Sequence, residues 1–404
     1  MPQAIAYHTR VANYFKQQQK TWDFFAAANT RKDQLQQFKL DLLKNSYKFD
    51  PASDSHIYEK VNLAKEKLGM PQLQVFVYQA QYADEVNASI VFIDGEAHIV
   101  FSGKITQLLT DDELLAVLAH ELTHIKLYTM MEGDLEIADR IITAIANHHN
   151  TEPAYFETAR LFRLYTEIFC DRGAYTVTSN TGQIITSLVK IATGLETVNA
   201  EAYLKQAEEI FTAEKTIRAN TITHPENFIR ARAIQLWHDH HEEADKEISK
   251  MIEGLINVDA LDIFKQQQLT TLTQKFLQLL LKPKWFQTVL TQSQLKQFSK
   301  DFKLDEQAVL EEKLVNEISD AHSSIKDYLC YLMIDFILID PALEIVPFGW
   351  AFQFAEDIKL KDAFDAIIKK ELKFSDKKLQ QHKEKSLAAY YEVKEGANEQ
   401  VYQD

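Results

Sequence analysis

His120-Glu121-Leu122-Thr123-His124 sets two imidazoles four residues apart, with a carboxylate beside the first. On a helix, residues four apart share a face, so both imidazoles can bind one ion. Glu121 sits next to the first ligand, where it can take a proton from a water held near that ion without ligating the ion itself. Metal-assisted hydrolysis with zinc is the chemistry this spacing serves. A bland alternative is a helix with two surface histidines and a carboxylate. The flanking residues weigh against it, because Leu114, Leu115, Val117 and Leu118 give the helix an apolar face. Burying two His and a Glu without a shared partner is costly.

A structural zinc fills its fourth position with protein, whereas a hydrolytic zinc needs a third protein ligand and an open site for water. Glu167 is the candidate third ligand. Tyr155, Ala159, Phe162 and Phe169 read as the apolar positions of a second helix packed on the first. Asp171 lies one turn after Glu167, where it can orient a liganding imidazole. A solvated helical face bearing Glu167 and Asp171 is the competing reading, and spacing alone leaves both open. His224 by itself reads as a capping or surface histidine. His148, His149, His238, His240 and His241 lack a ligand spacing with partners and read as solvated.

The elements that must position these groups are mostly helices, since the chain has only 10 Gly and 8 Pro. Thr110-Asp111-Asp112-Glu113 is a capping box that starts the helix leading into His120. Before it, Leu73, Val75 and Val77 alternate as in a part-buried strand. Asp94-Gly95 then stands between two β-rich runs, the strongest short-range hairpin signal. A helix is expected from about Ser55 to Leu68, and no strand signal follows the hairpin. The fold class expected is therefore α+β and mainly helical, with a small β-sheet beside the metal helix and an all-helical C-terminal domain. The expected divisions are an N-terminal helical arm (1–45), a metallopeptidase domain (46–245), a helical domain (246–385) and a charged tail (386–404).

Composition bounds the partners. The 404 residues carry 44 Lys and Arg against 59 Asp and Glu, a net charge of -15. That balance argues against nucleic acid or anionic membrane as the main partner. Two cysteines, Cys170 and Cys330, are too few for a disulfide framework. The N-terminal residues lack a signal-peptide apolar core, and Asp335, Asp340 and Glu344 interrupt the most apolar stretch, Tyr328 to Ala355. No integral membrane span is expected, and a cytoplasmic location follows.

The ordered set of motifs resembles the gluzincin zinc metallopeptidases that include the heat-shock protease HtpX and the CAAX prenyl proteases. Asn87-Ala88 precedes the hairpin. The metal helix reads Leu118 to His124, Glu167 to Asp171 with Ala174 follows, and His224-Pro225 with Arg230 comes last. Together they cover roughly residues 55–240. The resemblance implies Zn2+ held by His120, His124 and Glu167, with Glu121 as general base and Asp171 behind the ligands. It implies that His224 stabilises the oxyanion or binds a substrate carbonyl, and that Asn87 and Arg230 contact substrate. Thr123 stands where the family often has Gly. Cys170 stands where Ala is usual and reads as a buried, inert thiol. The expected activity is endopeptidase cleavage of flexible or unfolded protein segments. Its rivals are a catalytically silent zinc-binding scaffold and a chaperone-like stress-response adaptor. The C-terminal domain carries no catalytic signature and names no partner.

Overall fold

A computed structural model describes residues 3–27, 32–93, 95–214, 216–298 and 302–397. They divide into two compact units, Met1–Gly254 and Leu255–Asp404. The architecture is α+β and mainly helical, as the composition predicts.

The first unit opens with α1 (Ala6–Lys16), α2 (Gln19–Ala27) and α3 (Lys32–Asn45). It continues with β1 (Ser46–Lys48), α4 (Ser55–Lys67), β2 (Gln74–Ala80), β3 (Asn87–Ile93) and β4 (Glu96–Ser102). Then come α5 (Ile105–Leu108), α6 (Asp111–Thr129), α7 (Asp134–Ala146), α8 (Pro153–Thr178) and α9 (Thr181–Thr193). The unit closes with α10 (Ala200–Ala213), α11 (Asn227–His240) and α12 (Asp245–Glu253).

The four strands form one mixed sheet in the order β1-β2-β4-β3. The hairpin expected around Asp94-Gly95 is β3–β4, antiparallel, with Ile93 opposite Glu96 and Asn87 opposite Ser102. Gly95 takes φ +80°, a turn conformation that a residue with a Cβ resists. Asp94 lies outside the described residues. β4 runs parallel to β2, and β1 adds an antiparallel strand at the far side. Sequence reading gave no sign of β1, because three residues are too few to show an alternation. β3 is left as a sheet edge.

Val75, Val77, Ala97, Ile99 and Phe101 turn into a core shared with Leu114, Leu118 and Leu122 of α6. The capping box forms as read: Thr110 Oγ1 accepts from the Glu113 amide at 3.3 Å and Glu113 accepts from the Thr110 amide at 2.8 Å. Buried Lys190 of α9 also donates to Glu113 at 2.8 Å, so the cap is tied to a third helix. Helix α8 starts with Pro153, whose missing N–H costs nothing in a first turn. It packs along α6, where Gly173 faces Thr123. A Cβ on Gly173 would lie 2.0 Å from Thr123 Oγ1. The Thr that departs from the family's usual Gly is thus accommodated by a glycine on the opposing helix.

The second unit is all helical: α13 (Ile263–Leu280), α14 (Val289–Phe298), α15 (Glu312–Ser319), α16 (Ser323–Ile337), α17 (Val346–Asp357), α18 (Lys361–Glu371) and α19 (Asp376–Ala397). Its core gathers Phe276, Phe336, Trp350, Phe354 and Phe364. A charged tail is expected from residue 386, yet helix continues to Ala397, with Ser386 and Tyr390 buried. The reason is packing: α17 offers Gly349 and Trp350 to that face. Residues 398–404 lie outside the described set.

Candidate active site

Helix α6 contributes His120, Glu121 and His124, and helix α8 contributes Glu167, Cys170 and Asp171. Glu167 and Asp171 are four residues apart and share the face turned to α6. His120 Nε2 lies 3.3 Å from Glu167 Oε2, and His124 Nε2 lies 3.7 Å from Glu167 Oε1. All of these side chains are buried or nearly so, with Glu167 5% and Asp171 2% exposed. The solvated-face alternative for Glu167 and Asp171 is therefore not what the fold contains.

Behind this group, Asp171 Oδ1 accepts from His120 Nδ1 at 3.0 Å, which turns Nε2 toward Glu167. Asp171 is fixed in turn by Arg230 of α11, through Nε at 2.9 Å and a second guanidinium nitrogen at 2.6 Å. Arg230 also reaches Glu167 Oε2 at 3.6 Å. Sequence reading expects Arg230 beside substrate. It is only 6% exposed, and these contacts make it a post for the carboxylates at the floor of the cleft.

Three buried carboxylates meet one permanent positive charge, Arg230. Burial alone would push the His120 imidazolium down, but Asp171 and Glu167 hold its pKa up to about 10. Glu167 would be raised by burial, yet His120 and Arg230 keep it below the usual carboxylate range. Burial moves His124 down to about 4, so its ring is neutral and can donate a lone pair. Burial raises Glu121 to about 7, against the pull of His120. Glu167 Oε2 is buried and accepts no hydrogen bond.

The donor set fits zinc. A tetrahedral shell with metal–ligand bonds of ~2.0–2.1 Å spaces its donors roughly 3.3 Å apart, close to the two separations above. Cys170 Sγ also belongs to the neighbourhood: one nitrogen of each imidazole and the sulfur lie within 4.8 Å of one another.

These groups sit in a cleft of about 650 Å³. One wall is the β3 edge from Asn87 to Ile90, and the opposite wall includes Ile184, Leu188 and Ile191 of α9. Asn87 lines the cleft, with its side-chain oxygen held by the Ala88 amide at 2.9 Å. His224 lies at the rim, its Nε2 3.7 Å from Glu167 Oε1 and its side chain 62% exposed. Among the other histidines, His238 accepts or donates a 2.6 Å bond with the Tyr175 hydroxyl and does not join the site.

Sequence reading missed the anchor of the His224 segment. Buried Arg160 of α8 donates to the backbone oxygens of Ala219 and Thr221, both at 3.0 Å. Glu157 holds the same guanidinium through two 2.7 Å bonds. The pair's three-residue spacing is visible in the sequence, but its reach to a segment some sixty residues on is a tertiary fact.

Comparison with known proteins agrees with this geometry. Residues 51–238 match the model of Peptidase family M48, and the chain thus carries a domain of that family. It is 30% identical over 172 residues to the plastoglobule-localized metallopeptidase 48, chloroplastic, of Arabidopsis thaliana. That alignment covers 37% of this chain and 48% of the relative, so the chain spans about half the length of the curated relative it matches. No solved structure matches. No helix among the described residues is long and apolar enough to cross a membrane.

Proposed function

We propose that the peptidase family M48 domain of this chain is a zinc-dependent endopeptidase acting on flexible or unfolded protein segments. The single observation that carries the reading is the pair of largely buried imidazoles converging on the two oxygens of the Glu167 carboxylate, beside Glu121. His120, His124 and Glu167 would hold the zinc, which when bound polarises the scissile carbonyl and acidifies a water.

The chain's own groups do the rest. Glu121, not a ligand, takes the water's proton and later returns it to the leaving amine. Asp171 keeps His120 in the tautomer that presents Nε2, and Arg230 keeps Asp171 ionised and in place. His224 at the rim donates to the developing oxyanion. The free β3 edge supports binding of an extended peptide as an added strand, which only an unfolded or flexible segment can supply. Asn87 lies where such a strand would run. A cytoplasmic location remains part of this proposal.

Turnover of an unfolded protein substrate, with and without a chelator, tests the reading. Wild-type cleavage should be abolished by chelation and restored by zinc. Glu121→Gln keeps the shape but cannot take the proton, so cleavage should fall by roughly 10²–10⁴-fold while zinc stays bound. Equal cleavage by Glu121→Gln would remove Glu121 from the mechanism. Chelator-resistant cleavage, or none at all by the zinc-loaded wild type, would overturn the activity.

A further inference from the structure

Helix α8 sends a second potential donor toward the imidazole pair. Cys170 follows Glu167 by three residues, on the same face of the helix, and is fully buried. Its Sγ and one nitrogen each of His120 and His124 lie within 4.8 Å of one another. Beside them, Glu167 Oε2 is buried without a hydrogen-bond partner. A tetrahedral shell with metal–sulfur bonds of ~2.3 Å and metal–nitrogen bonds of ~2.0–2.1 Å spaces its donors roughly 3.5 Å apart. The widest separation among these atoms therefore exceeds such a shell by at most about 1.3 Å.

We propose that the centre has two donor sets: open with zinc, held by His120, His124 and Glu167, and closed with a thiophilic ion such as Cd2+, which recruits Cys170. The inference rests on the metal-site reading above. Thiolate is a soft ligand and favours soft ions, while zinc is content with nitrogen and carboxylate oxygen. As the sulfur–metal bond forms, the Sγ proton passes to buffer and no oxidation state changes. Four protein donors leave no position for water, so the closed set is a structural site by coordination and does not hydrolyse peptides.

The chain contains only two cysteines, which makes the test clean. Cd2+ is titrated into the metal-free full-length chain while the ultraviolet thiolate-to-cadmium charge-transfer band is followed. The band should saturate at one equivalent, vanish in Cys170→Ser and Cys170→Ala, and persist in Cys330→Ser. Zinc content of Cys170→Ser should equal that of wild type. One bound equivalent of Cd2+ without the band, or a band that survives Cys170→Ser, overturns the closed set and leaves the zinc site standing. A chain that binds neither ion overturns both. The cadmium-113 resonance of the wild-type chain gives the same answer without any variant: thiolate ligation shifts it far downfield of a nitrogen and oxygen shell, and a resonance of the latter kind overturns the inference.

Discussion

In the first unit α6 and α8 meet where Gly173 faces Thr123, and in the second α17 and α19 meet where Gly349 faces the Ser386 carbonyl. At each point a Cβ would lie 2.0 Å from its neighbour. The packing device is the same, but what surrounds it differs. Around Gly349 the core is Trp350, Phe354 and Tyr390, and the indole N–H of Trp350 donates to the Leu280 carbonyl at 2.8 Å. The same pair of helices, α6 and α8, carries Glu121, Glu167 and Asp171, joined by Arg230 of α11, all buried. In the second unit, the buried charged side chains among the described residues are Asp262 and Lys265. They stand at the start of α13, where Asp262 caps the helix through the Lys265 amide at 2.6 Å. Close helix packing thus needs no buried charge. The group at Glu121, Glu167, Asp171 and Arg230 is a cost that the proposed chemistry accounts for, because buried charges persist only when paired or when they coordinate a metal.

The largest loss should follow Arg230→Leu. It strands Asp171 without its bidentate partner, and breaking such a buried pair costs about 3–5 kcal/mol. Denaturant unfolding of the metal-free chain measures it, and a loss under 1 kcal/mol would show that the charges are not mutually dependent.

Next come Gly173→Ala and Gly349→Ala, each forcing a methyl into occupied space at about 1–3 kcal/mol or more. They sharpen the comparison because they should differ in one respect. Only Gly173→Ala should also weaken zinc binding, since it wedges Glu167 away from the imidazoles. Adding Thr123→Gly should recover part of that loss, less about 1 kcal/mol for a glycine inside a helix. Equal zinc affinity in both alanine variants would uncouple the packing from the site.

A smaller, pH-dependent effect concerns His8 of α1. It is fully buried against α8 and bonded to the Phe162 carbonyl and the Thr166 hydroxyl at 3.3 and 3.2 Å. Burial lowers its pKa to about 3. The folded state therefore binds fewer protons than the unfolded state, and stability rises with pH across that interval. The contribution is complete above the ordinary pKa of about 6.5 and is lost as pH falls toward 3. In His8→Gln, stability measured from pH 7 to 4 should fall less than in wild type, and parallel curves would remove His8 from the account.

The comparison also explains what the sequence made legible. The His120, Glu121, His124 spacing is local to one helix, and the capping box that starts it is a four-residue pattern, so both are visible without a fold. Glu167 is undecided by spacing, because its role depends on α8 lying against α6. That contact is set by Gly173, a residue with no signature of its own. The contacts of Arg230 with Asp171 and of Arg160 with the His224 segment were illegible for the same reason: each acts through groups tens of residues distant. The hairpin was legible from Gly95 and the β-rich runs, whereas the parallel pairing of β2 with β4 is a non-local choice. The apparent tail hid a packed helix because its apolar contacts, Leu387 and Tyr390, are sparse among charges.

The central claim is that His120, His124 and Glu167, with Glu121, Asp171 and Arg230 packed around them, serve one catalytic metal ion. Elemental analysis of the dialysed full-length chain, beside Glu121→Gln and His124→Ala, tests it directly. The account predicts about one zinc per chain in wild type and in Glu121→Gln, and almost none in His124→Ala. Metal-free wild type after zinc loading, or undiminished zinc in His124→Ala, would contradict it.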